Sequence, residues 1–313
     1  MITTITFNPA IDKTMIIDNL RVGRVNRESG LRIDAAGKGI NVSKVIQKLG
    51  GKSVAMGILA GNSGKFIKDE LDKIGIENDF LFIEGQTRTN VKVVDGINNL
   101  VTDINENGPF VSADDLKAFE KKVIDNLSKD SIAVFSGSIP RNVDKKVYKR
   151  LISKAKEKGV KTILDADGEL LIEGLKAGPH LVKPNIHELE KIFSKSIESI
   201  EDIIKYGKKL LEYGVEHVIV SRGGEGSVFI SKEKIAIVDG IKVEVKSTVG
   251  AGDSMVAAIS LAIDKDYSFE TTIKLSVAAS AASVMKEGTQ SGSIEDINKL
   301  IDKVEFKMLM GDV

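Results

Sequence analysis

Short apolar runs alternate along the chain with stretches whose apolar residues recur every three or four positions. Residues 2–7, 132–136 and 161–165 are typical of buried strands, whereas 39–49 and 113–127 have helical spacing. By the same criteria we predict strands at 53–57, 79–82, 181–183, 217–221 and 242–246, a hairpin over 226–238, and helices at 64–74, 145–158, 200–213, 251–263, 269–285 and 294–304. This order predicts the α/β fold class, with a doubly wound, mostly parallel sheet flanked by helices.

Two segments interrupt this alternation. Residues 14–35 and 87–104 are strand-like and rich in turn residues, and they show no helical spacing. The second has the pattern of a hairpin, with a turn at Asp95-Gly96. We interpret both as a small β-sheet lid, inserted from about residues 13–35 and 87–105, over the mouth of a single α/β domain that spans residues 1–313.

The charged residues balance, with 45 Lys and Arg against 45 Asp and Glu in 313 residues. Zero net charge argues against a nucleic-acid partner or an anionic membrane, because both are bound through an excess of Lys and Arg. The lack of Cys excludes disulfides, thiolate nucleophiles, Fe–S clusters and zinc ribbons. The first residues do not resemble a signal peptide, and no apolar run reaches the roughly 18 residues of a membrane span, so we expect a cytoplasmic protein.

The strongest motif is TVGAGDS at residues 248–254, between the strand predicted at 242–246 and the helix predicted at 251–263. Its glycines allow the backbone to approach an anion, and the first helical turn offers unpaired N–H groups. Asp253 in that turn would be a good acceptor for a hydroxyl proton. The alternative is a tightly packed helix start in which Asp253 is only a capping charge. A Rossmann fingerprint would need glycine at Met255, and a Walker A loop would need it at Ile46, so the motif belongs to neither class.

A second motif, AGKGIN at residues 36–41, also precedes a predicted helix. Lys38 is unfavourable at the start of a free-standing helix, but it is well placed if an anionic ligand bridges the lysine and the helix amides. Asn41 lies one turn later on the same face and is suited to bond a sugar hydroxyl. The alternative is a glycine turn with a solvated lysine.

Further charged residues lie in the lid or after a predicted strand. Arg88 at the base of the lid, and Arg24 and Arg27 in its first segment, are suited to bidentate phosphate recognition. Each could equally be a solvated surface charge. Asp12 comes at the end of the first strand, where doubly wound sheets bind ligands, and is suited to accept a hydroxyl, although it is also a common turn residue.

Two more segments follow predicted strands. Asn185 and Glu188 hold the N-cap and N3 positions of a helix, so a capping box explains them, while the functional alternative makes Glu188 an outer partner of Mg²⁺. SRGGEG, residues 221–226, is either a hairpin connection or a glycine loop against a nucleotide.

The three histidines offer no metal-binding motif in the sequence. His187-Glu188 lacks the second histidine of H-E-x-x-H, which would fall at Lys191. We therefore interpret His180, His187 and His217 as structural residues.

Taken together, these motifs resemble the PfkB (ribokinase-like) carbohydrate kinase family over essentially the whole chain. The resemblance depends on AGKGINVSK (36–44) and STVGAGDSMVAA (247–258), with VKPNIHE (182–188) and VSRGGEG (220–226) between them. Within the family, the chain is most similar to the hexose-phosphate kinases that act on fructose 1-phosphate and tagatose 6-phosphate. The segments that carry this closer similarity are TFNPAID (6–12), TRTNVKV (87–93), FSGSIP (135–140) and YGKKLLEYGVEHVIVS (206–221).

The resemblance implies a role for each residue that matches a family motif. Asp253 would be the catalytic base, and the amides of Gly250, Ala251 and Gly252 would form the anion hole for the transferring phosphoryl group. The residues expected to bind the phosphorylated sugar are Asp12, Gly37 and Asn41 at its hydroxyls, Lys38, Arg88 and Arg27 at its phosphate, and Ser138. The residues expected on the ATP side are Lys183, Asn185, Ser221, Gly223, Gly226, Thr248, Ser280 and Ser283, with Glu188 tied to Mg²⁺.

The implied activity is ATP-dependent, Mg²⁺-assisted phosphorylation of a ketohexose phosphate, first of all of fructose 1-phosphate to fructose 1,6-bisphosphate. Kinases for tagatose 6-phosphate or fructose 6-phosphate use much the same residues and are the alternatives. A sugar-phosphate sensor on the same fold is the alternative outside enzymes, and the retention of Asp253 disfavours it. Lys38 and Arg88 favour a phosphorylated substrate, because burying two cations against a neutral sugar carries a desolvation cost.

The resemblance also implies a homodimer formed through the lid. Two positions depart from the family pattern: Ala36 replaces the first glycine of a G-G-K-G stretch, and Ser247 replaces an Asp that binds potassium in many members. The second departure leaves a requirement for a monovalent cation open.

Overall fold

Fifteen strands and ten helices follow one another in residues 1–98, 100–288 and 290–310, which the computed structural model describes. The strands are β1 (Ile2–Thr6), β2 (Ala10–Ile17), β3 (Gly30–Ala36), β4 (Ser53–Ala60), β5 (Glu77–Asn78), β6 (Leu81–Ile83), β7 (Arg88–Asp95), β8 (Leu100–Asn105), β9 (Ile132–Ser136), β10 (Lys161–Asp165), β11 (Leu181–Val182), β12 (His217–Ser221), β13 (Gly226–Ser231), β14 (Lys234–Asp239) and β15 (Phe306–Met310). The helices are α1 (Lys38–Lys48), α2 (Gly61–Lys73), α3 (Ala113–Asn126), α4 (Val147–Glu157), α5 (Gly168–Leu175), α6 (Ile186–Phe193), α7 (Ile200–Leu211), α8 (Ala251–Asp264), α9 (Phe269–Val284) and α10 (Ile294–Ile301).

Eleven strands form one central sheet in the order β15-β14-β13-β12-β11-β10-β9-β1-β4-β5, with β6 beside the end of β4. The strands from β12 to β5 pair in parallel, and β12 to β15 pair antiparallel. All residues of β1, β4 and β9 are buried, as expected for parallel strands covered on both faces. The sheet therefore brings the carboxyl ends of β1 and β9 to β12 to one edge.

Helices cover both faces of this sheet. Ala133 and Phe135 of β9 belong to a core that includes α3 to α7, whereas Ile132 and Val134 belong to a core with α1, α8, α9 and α10. This division follows from the strand geometry, because successive side chains point to opposite faces. Among the described residues, no helix is long and apolar enough to cross a membrane.

A small second sheet has the order β3-β2-β7-β8 and lies apart from the central one. It is built from the two segments that interrupt the helix–strand alternation: β2 pairs antiparallel with β3 and in parallel with β7. The predicted fold class is thereby confirmed. The extent of the single domain, residues 1–313, and the bounds of the lid stay predictions, and residues 99, 289 and 311–313 lie outside the described residues.

The strand predicted at residues 242–246 is wrong. These residues form no strand; instead the backbone N–H groups of Lys246 and Ser247 donate to the carbonyl oxygen of Val284, at 2.8 and 3.2 Å. The edge of β14 that they would have needed is taken by β15, with Val238 opposite Phe306. An alternation of apolar and polar residues is therefore not enough to form a strand where the sheet offers no free edge.

Two observed elements have no predicted counterpart, namely α5 and β15. Helix α5 has the sequence GELLIEGL, in which apolar residues are contiguous and give no helical period. Strand β15 follows α10, which ends at Ile301 rather than at residue 304. The strand predicted at 79–82 is replaced by the short strands β5 and β6.

Candidate active site

A cavity of about 550 Å³ lies over the carboxyl ends of the parallel strands. Thr6 at the end of β1, Gly137 after β9 and Asp165 at the end of β10 line it, as expected for the ligand site of a doubly wound sheet. It brings together most of the residues predicted from the sequence: Asp12, Gly37, Lys38, Asn41, Arg88, Ser138, Lys183, Asn185, Glu188, Ser221, Gly250, Gly252 and Asp253.

Helix α8 begins at this cavity without a side-chain cap. Gly250 is its N-cap residue and has φ 83°, a left-handed conformation that glycine adopts without strain. Because no side chain bonds the first-turn amides, their N–H groups and the positive end of the helix dipole are available to an anion. The helix start can therefore bind a phosphate group.

Asp253 lies in the first turn of α8 and is 6% exposed. Asn41 donates from Nδ2 to its Oδ2 at 2.8 Å, which fixes the carboxylate between α8 and α1. Burial raises the pKa of Asp253 to about 6, while Lys38 opposes the shift. A carboxyl group with such a pKa is ionised at neutral pH and is a stronger base than an ordinary surface carboxylate.

Asp165 is the central charge of the cavity, and sequence analysis did not identify it. Its Oδ2 lies 3.2 Å from Lys38 Nζ and its Oδ1 lies 3.4 Å from Lys183 Nζ. Burial works to raise the pKa of Asp165, but the charges of Lys183 and Lys38 outweigh burial and lower it. Burial likewise works to lower the pKa of Lys38, but the negative charges of Asp165, Asp253 and Glu188 together outweigh burial and raise that pKa. The sequence signal that could have identified Asp165 was its position as the last residue of a buried strand.

Arg88 borders the cavity from the base of the second sheet. Its Nε donates to the carbonyl oxygen of Asn8 at 3.1 Å, and its Nη2 lies 3.5 Å from Ser138 Oγ. Asp12 is held nearby by Asn90, whose Nδ2 donates to Asp12 Oδ1 at 2.9 Å. Burial raises the pKa of Asp12, and the hydrogen bond from Asn90 opposes this.

Asn185 and Glu188 form the predicted capping box at the start of α6. The backbone N–H of Asn185 donates to Glu188 Oε2, and that of Glu188 donates to Asn185 Oδ1, both at 2.8 Å. Both side chains also line the cavity. The structural and functional interpretations of this pair are therefore compatible.

A second cleft of about 400 Å³ adjoins the cavity and shares Ser221 and Gly252 with it. It lies between α8, α9 and the glycine loop that contains the 3₁₀ turn Gly223–Glu225. The predicted residues that line it are Ser221, Gly223, Gly226, Thr248, Ala251, Gly252 and Ser280.

Two predicted residues line neither the cavity nor the cleft. Arg27 lies on the exposed connection between β2 and β3. Ser283 is buried on α9, where its hydroxyl donates to the carbonyl oxygen of Gln290 at 3.5 Å. Within this chain, neither is placed to touch a ligand of the two spaces.

The fold has its cavity where α/β enzymes bind ligands, and the uncapped start of α8 with Lys38 and Arg88 suits a small anionic ligand. A model of the pfkB family carbohydrate kinases matches residues 5–297. The 1-phosphofructokinase of Bacillus subtilis is 35% identical over 309 residues, covering 99% of this chain and 100% of that protein. The 1-phosphofructokinase of Borreliella burgdorferi is 36% identical over 308 residues, covering 98% of each. The chain therefore belongs to the pfkB family of carbohydrate kinases.

The fold is shared with a solved relative. The crystal structure of phosphofructokinase-2 from Escherichia coli in complex with potassium has a TM-score of 0.92 and 29% sequence identity, covering 96% of this chain and 98% of that one. The family resemblance that the motifs indicate is thus confirmed in both sequence and fold.

The buried carboxylate of Asp253 should lower the free energy of unfolding at neutral pH. Its pKa is about 6 in the folded protein and about 3.9 in an unfolded chain, so the folded state binds the proton more tightly and loses stability as pH rises from 4 to 6. We expect Asp253→Asn to raise the free energy of unfolding by roughly 2–3 kcal/mol at pH 8, with the gain vanishing near pH 4. Urea denaturation across this pH range measures it.

Asp296→Asn is the matched control with the opposite sign. In the wild type, hydrogen bonds with Lys286 and Ser293 lower the pKa of Asp296 to about 2. The Asp296→Asn variant should therefore have a lower free energy of unfolding than the wild type at pH 8. A change in Asp253→Asn that does not vary with pH would contradict the burial argument.

Proposed function

We propose that the protein transfers the terminal phosphoryl group of ATP to the 6-hydroxyl of fructose 1-phosphate, giving fructose 1,6-bisphosphate and ADP. One observation carries the proposal: the uncapped start of α8, the buried Asp253 and the cations Lys38 and Arg88 all face one cavity. The relatives named 1-phosphofructokinase support this choice of sugar phosphate.

Asp253 is the proposed base. It accepts the proton of the 6-hydroxyl while that oxygen bonds to the terminal phosphorus and the bond to the leaving ADP oxygen breaks. The amides of Gly250, Ala251 and Gly252 stabilise the negative charge that spreads over the transferring group. The pKa of about 6 supports this role, because Asp253 is then deprotonated at pH 7 and binds a proton more readily than an exposed carboxylate.

Lys38 and Arg88 are proposed to bind the phosphate already on the sugar, with Ser138 beside Arg88. Arg27 lies outside this cavity and is left out of the proposed phosphate site. Asp12, Gly37 and Asn41 would bind the sugar hydroxyls. The second sheet adds Lys92 and Asp103 to the cavity lining, which supports its role as a lid that keeps water from competing for the phosphoryl group.

ATP is proposed to lie in the adjoining cleft, with Ser221 and Gly252 at the junction of the two spaces. Lys183 and Asn185 would meet its phosphates, Gly223, Gly226 and Thr248 would border the nucleotide, and Ser280 and Ser283 belong to the helix on the adenine side. The role of Ser283 is then indirect, because its side chain is buried.

The charges in the cavity fit a divalent cation. Six carboxylates line it against four cationic side chains, so two phosphorylated substrates would meet an excess of negative charge. Mg²⁺ prefers carboxylate and water oxygens, and Glu188 is the proposed partner at the start of α6. When bound, Mg²⁺ neutralises phosphate charge.

A homodimer is proposed to form through the outer face of the second sheet. Cross-strand partners share a face, and one face carries Asp12, Asn90 and Asp103 toward the cavity. The opposite face is mostly apolar, with Lys13 and Thr102 as its polar members; its apolar residues include Leu31, 49% exposed, and Met15, Ile33, Val91, Val93 and Ile104. An exposed apolar face of this kind favours association.

Asp253→Asn should lose catalysis but keep binding. We expect kcat to fall by about 10²–10⁴ with little change in the Kd of ATP or fructose 1-phosphate, because the side chain keeps its shape and loses only its basicity. Single-turnover kinetics and calorimetry measure the two effects. Asp264→Asn at the far end of α8 is the control and should retain activity; near-normal kcat in Asp253→Asn would refute the base.

Arg88→Ala should change substrate choice. We expect KM for fructose 1-phosphate to rise by about 10²-fold while KM for ATP stays within threefold, because a charged hydrogen bond of about 1.5–3 kcal/mol is lost at one substrate only. ADP release with fructose 1-phosphate, fructose 6-phosphate, tagatose 6-phosphate and free fructose measures it. The exposed Arg24→Ala is the control. Equal rises in both KM values would contradict the assignment, and preference of the wild type for another sugar phosphate would replace the proposed substrate.

Ile33→Lys should separate the dimer. The substitution places a charge in the apolar face of the second sheet, which costs far more when that face is covered than when it is solvated. Sedimentation velocity should show a dimer for the wild type and a monomer for the variant. Ile74→Lys, at an exposed isoleucine after α2, is the control and should stay dimeric. A wild-type monomer would contradict the proposed interface.

A further inference from the structure

A separate cavity of about 240 Å³ lies at the amino ends of β10, β11 and β12, on the sheet edge opposite the candidate active site. Its apolar wall includes Phe229, Ile259 and Phe269. Its polar lining includes two of the three histidines of the chain, His180 and His217. Neither the proposed transfer reaction nor its substrates use this cavity.

The backbone fixes the two histidines against each other. His180 precedes β11 and His217 begins β12, and these strands pair in parallel. The N–H groups of Glu216 and His217 both donate to the carbonyl oxygen of His180, at 3.2 and 3.0 Å. The pair therefore rests on the sheet itself rather than on a mobile loop.

The side chains converge as well. His180 Nδ1 lies 3.1 Å from Glu216 Oε2, and the two imidazole rings meet edge to face with centroids 5.0 Å apart. One ligand atom from each of His180, Glu216 and His217 lies within 4.8 Å of the other two. For metal bonds of about 2.0–2.1 Å, tetrahedral ligand atoms are separated by roughly 3.3 Å, so small side-chain rotations suffice to bind one ion.

We propose that His180, Glu216 and His217 form a binding site for a divalent transition-metal ion of the Zn²⁺ class. Two imidazoles and one carboxylate are a ligand set that such ions favour, whereas Mg²⁺ prefers oxygen ligands alone. Three protein ligands leave a fourth position for water. Sequence spacing does not reveal this set, because His180 is far from Glu216 and His217 in the chain and meets them only through the pairing of β11 with β12.

The cluster is accessible to an ion from solvent. The Glu216 side chain is 66% exposed and opens a path from solvent. Lys161 and Asp266, which also line the cavity, add one charge of each sign.

The site is distinct from the proposed Mg²⁺ position. Helix α8 lines the active-site cavity at Gly252 and this second cavity at Ala262, and ten residues of helix span roughly 15 Å. Metal binding at the two places can therefore be measured independently.

The first experiment uses the wild-type chain with histidine ring ¹³C labels and Zn²⁺ as the probe, in excess Mg²⁺. Only three histidines are present, so three ring signals are expected. We expect the signals of His180 and His217 to shift with one equivalent of Zn²⁺, and that of His187 to stay. This test needs no substitution and does not depend on folding of a variant.

The second experiment titrates Co²⁺, whose visible absorption reports tetrahedral nitrogen ligation, into the wild type and variants. We expect His180→Gln and His217→Gln to weaken Co²⁺ binding at least tenfold, and Glu216→Gln to weaken it less. His187→Gln is the matched control, because His187 is an exposed histidine that lies 3.3 Å from Glu190 without a second imidazole. It should bind Co²⁺ like the wild type.

Three results would overturn the proposal. In the first, Zn²⁺ shifts the ring signals of all three histidines to the same extent. In the second, His217→Gln binds Co²⁺ as tightly as the wild type does, and in the third the wild type binds Co²⁺ no more tightly than the double variant His180→Gln/His217→Gln. Loss of kinase activity in Asp253→Asn, or its retention, leaves this metal test unaffected, so the two proposals fail separately.

Discussion

The ion pairs of buried Asp165 with Lys38 and Lys183 join the elements around the active-site cavity. The three residues belong to β10, to the start of α1 and to the connection after β11. Removing the carboxylate would leave two cations without their partner, and breaking a buried pair costs about 3–5 kcal/mol. The pairing also orients both ammonium groups before a ligand arrives, and Lys38 keeps 40% of its side-chain surface exposed in the cavity. Because the cations are already fixed, an anionic ligand does not have to order them on binding.

In the second sheet, the alternation of side chains along each strand gives one face to the cavity and the other to the proposed dimer contact. Its alternation places polar side chains such as Asp12 and Asn90 on the cavity side and apolar ones such as Leu31 and Ile33 on the outside. A register shift by one residue would exchange the faces and expose the apolar set to the cavity. Seven- and eight-residue strands such as β3 and β7, paired over most of their length, fix that register. Cavity chemistry and the proposed self-association thus depend on the same strand pairing.

Sequence periodicity predicted the strands and helices that have an isolated pattern, including β9, β10 and β12 at their observed bounds. It failed where tertiary contacts determine the secondary structure. Residues 242–246 alternate like a strand, but β15 occupies the edge of β14 with which they would have to pair. The motifs identified side chains next to glycine turns, such as Lys38 and Asp253, because glycine marks an unusual backbone in the sequence itself. Asp165 has no such mark, and the contact between His180 and His217 depends on strand order, which a single sequence does not specify.

The first turn of helix α8 carries both the proposed base, Asp253, and the backbone N–H groups that can bind an anion. It is packed between the sheet and α9, so the field of its first-turn N–H groups acts in a medium of low effective dielectric. That field favours a carboxylate and should lower the pKa of Asp253, yet burial dominates and raises it. A phosphoryl group arriving at the same amides would bring further negative charge beside Asp253 and raise its pKa again. The proposed base therefore binds its proton most tightly when the group to be transferred is in place, and Lys38 limits the rise.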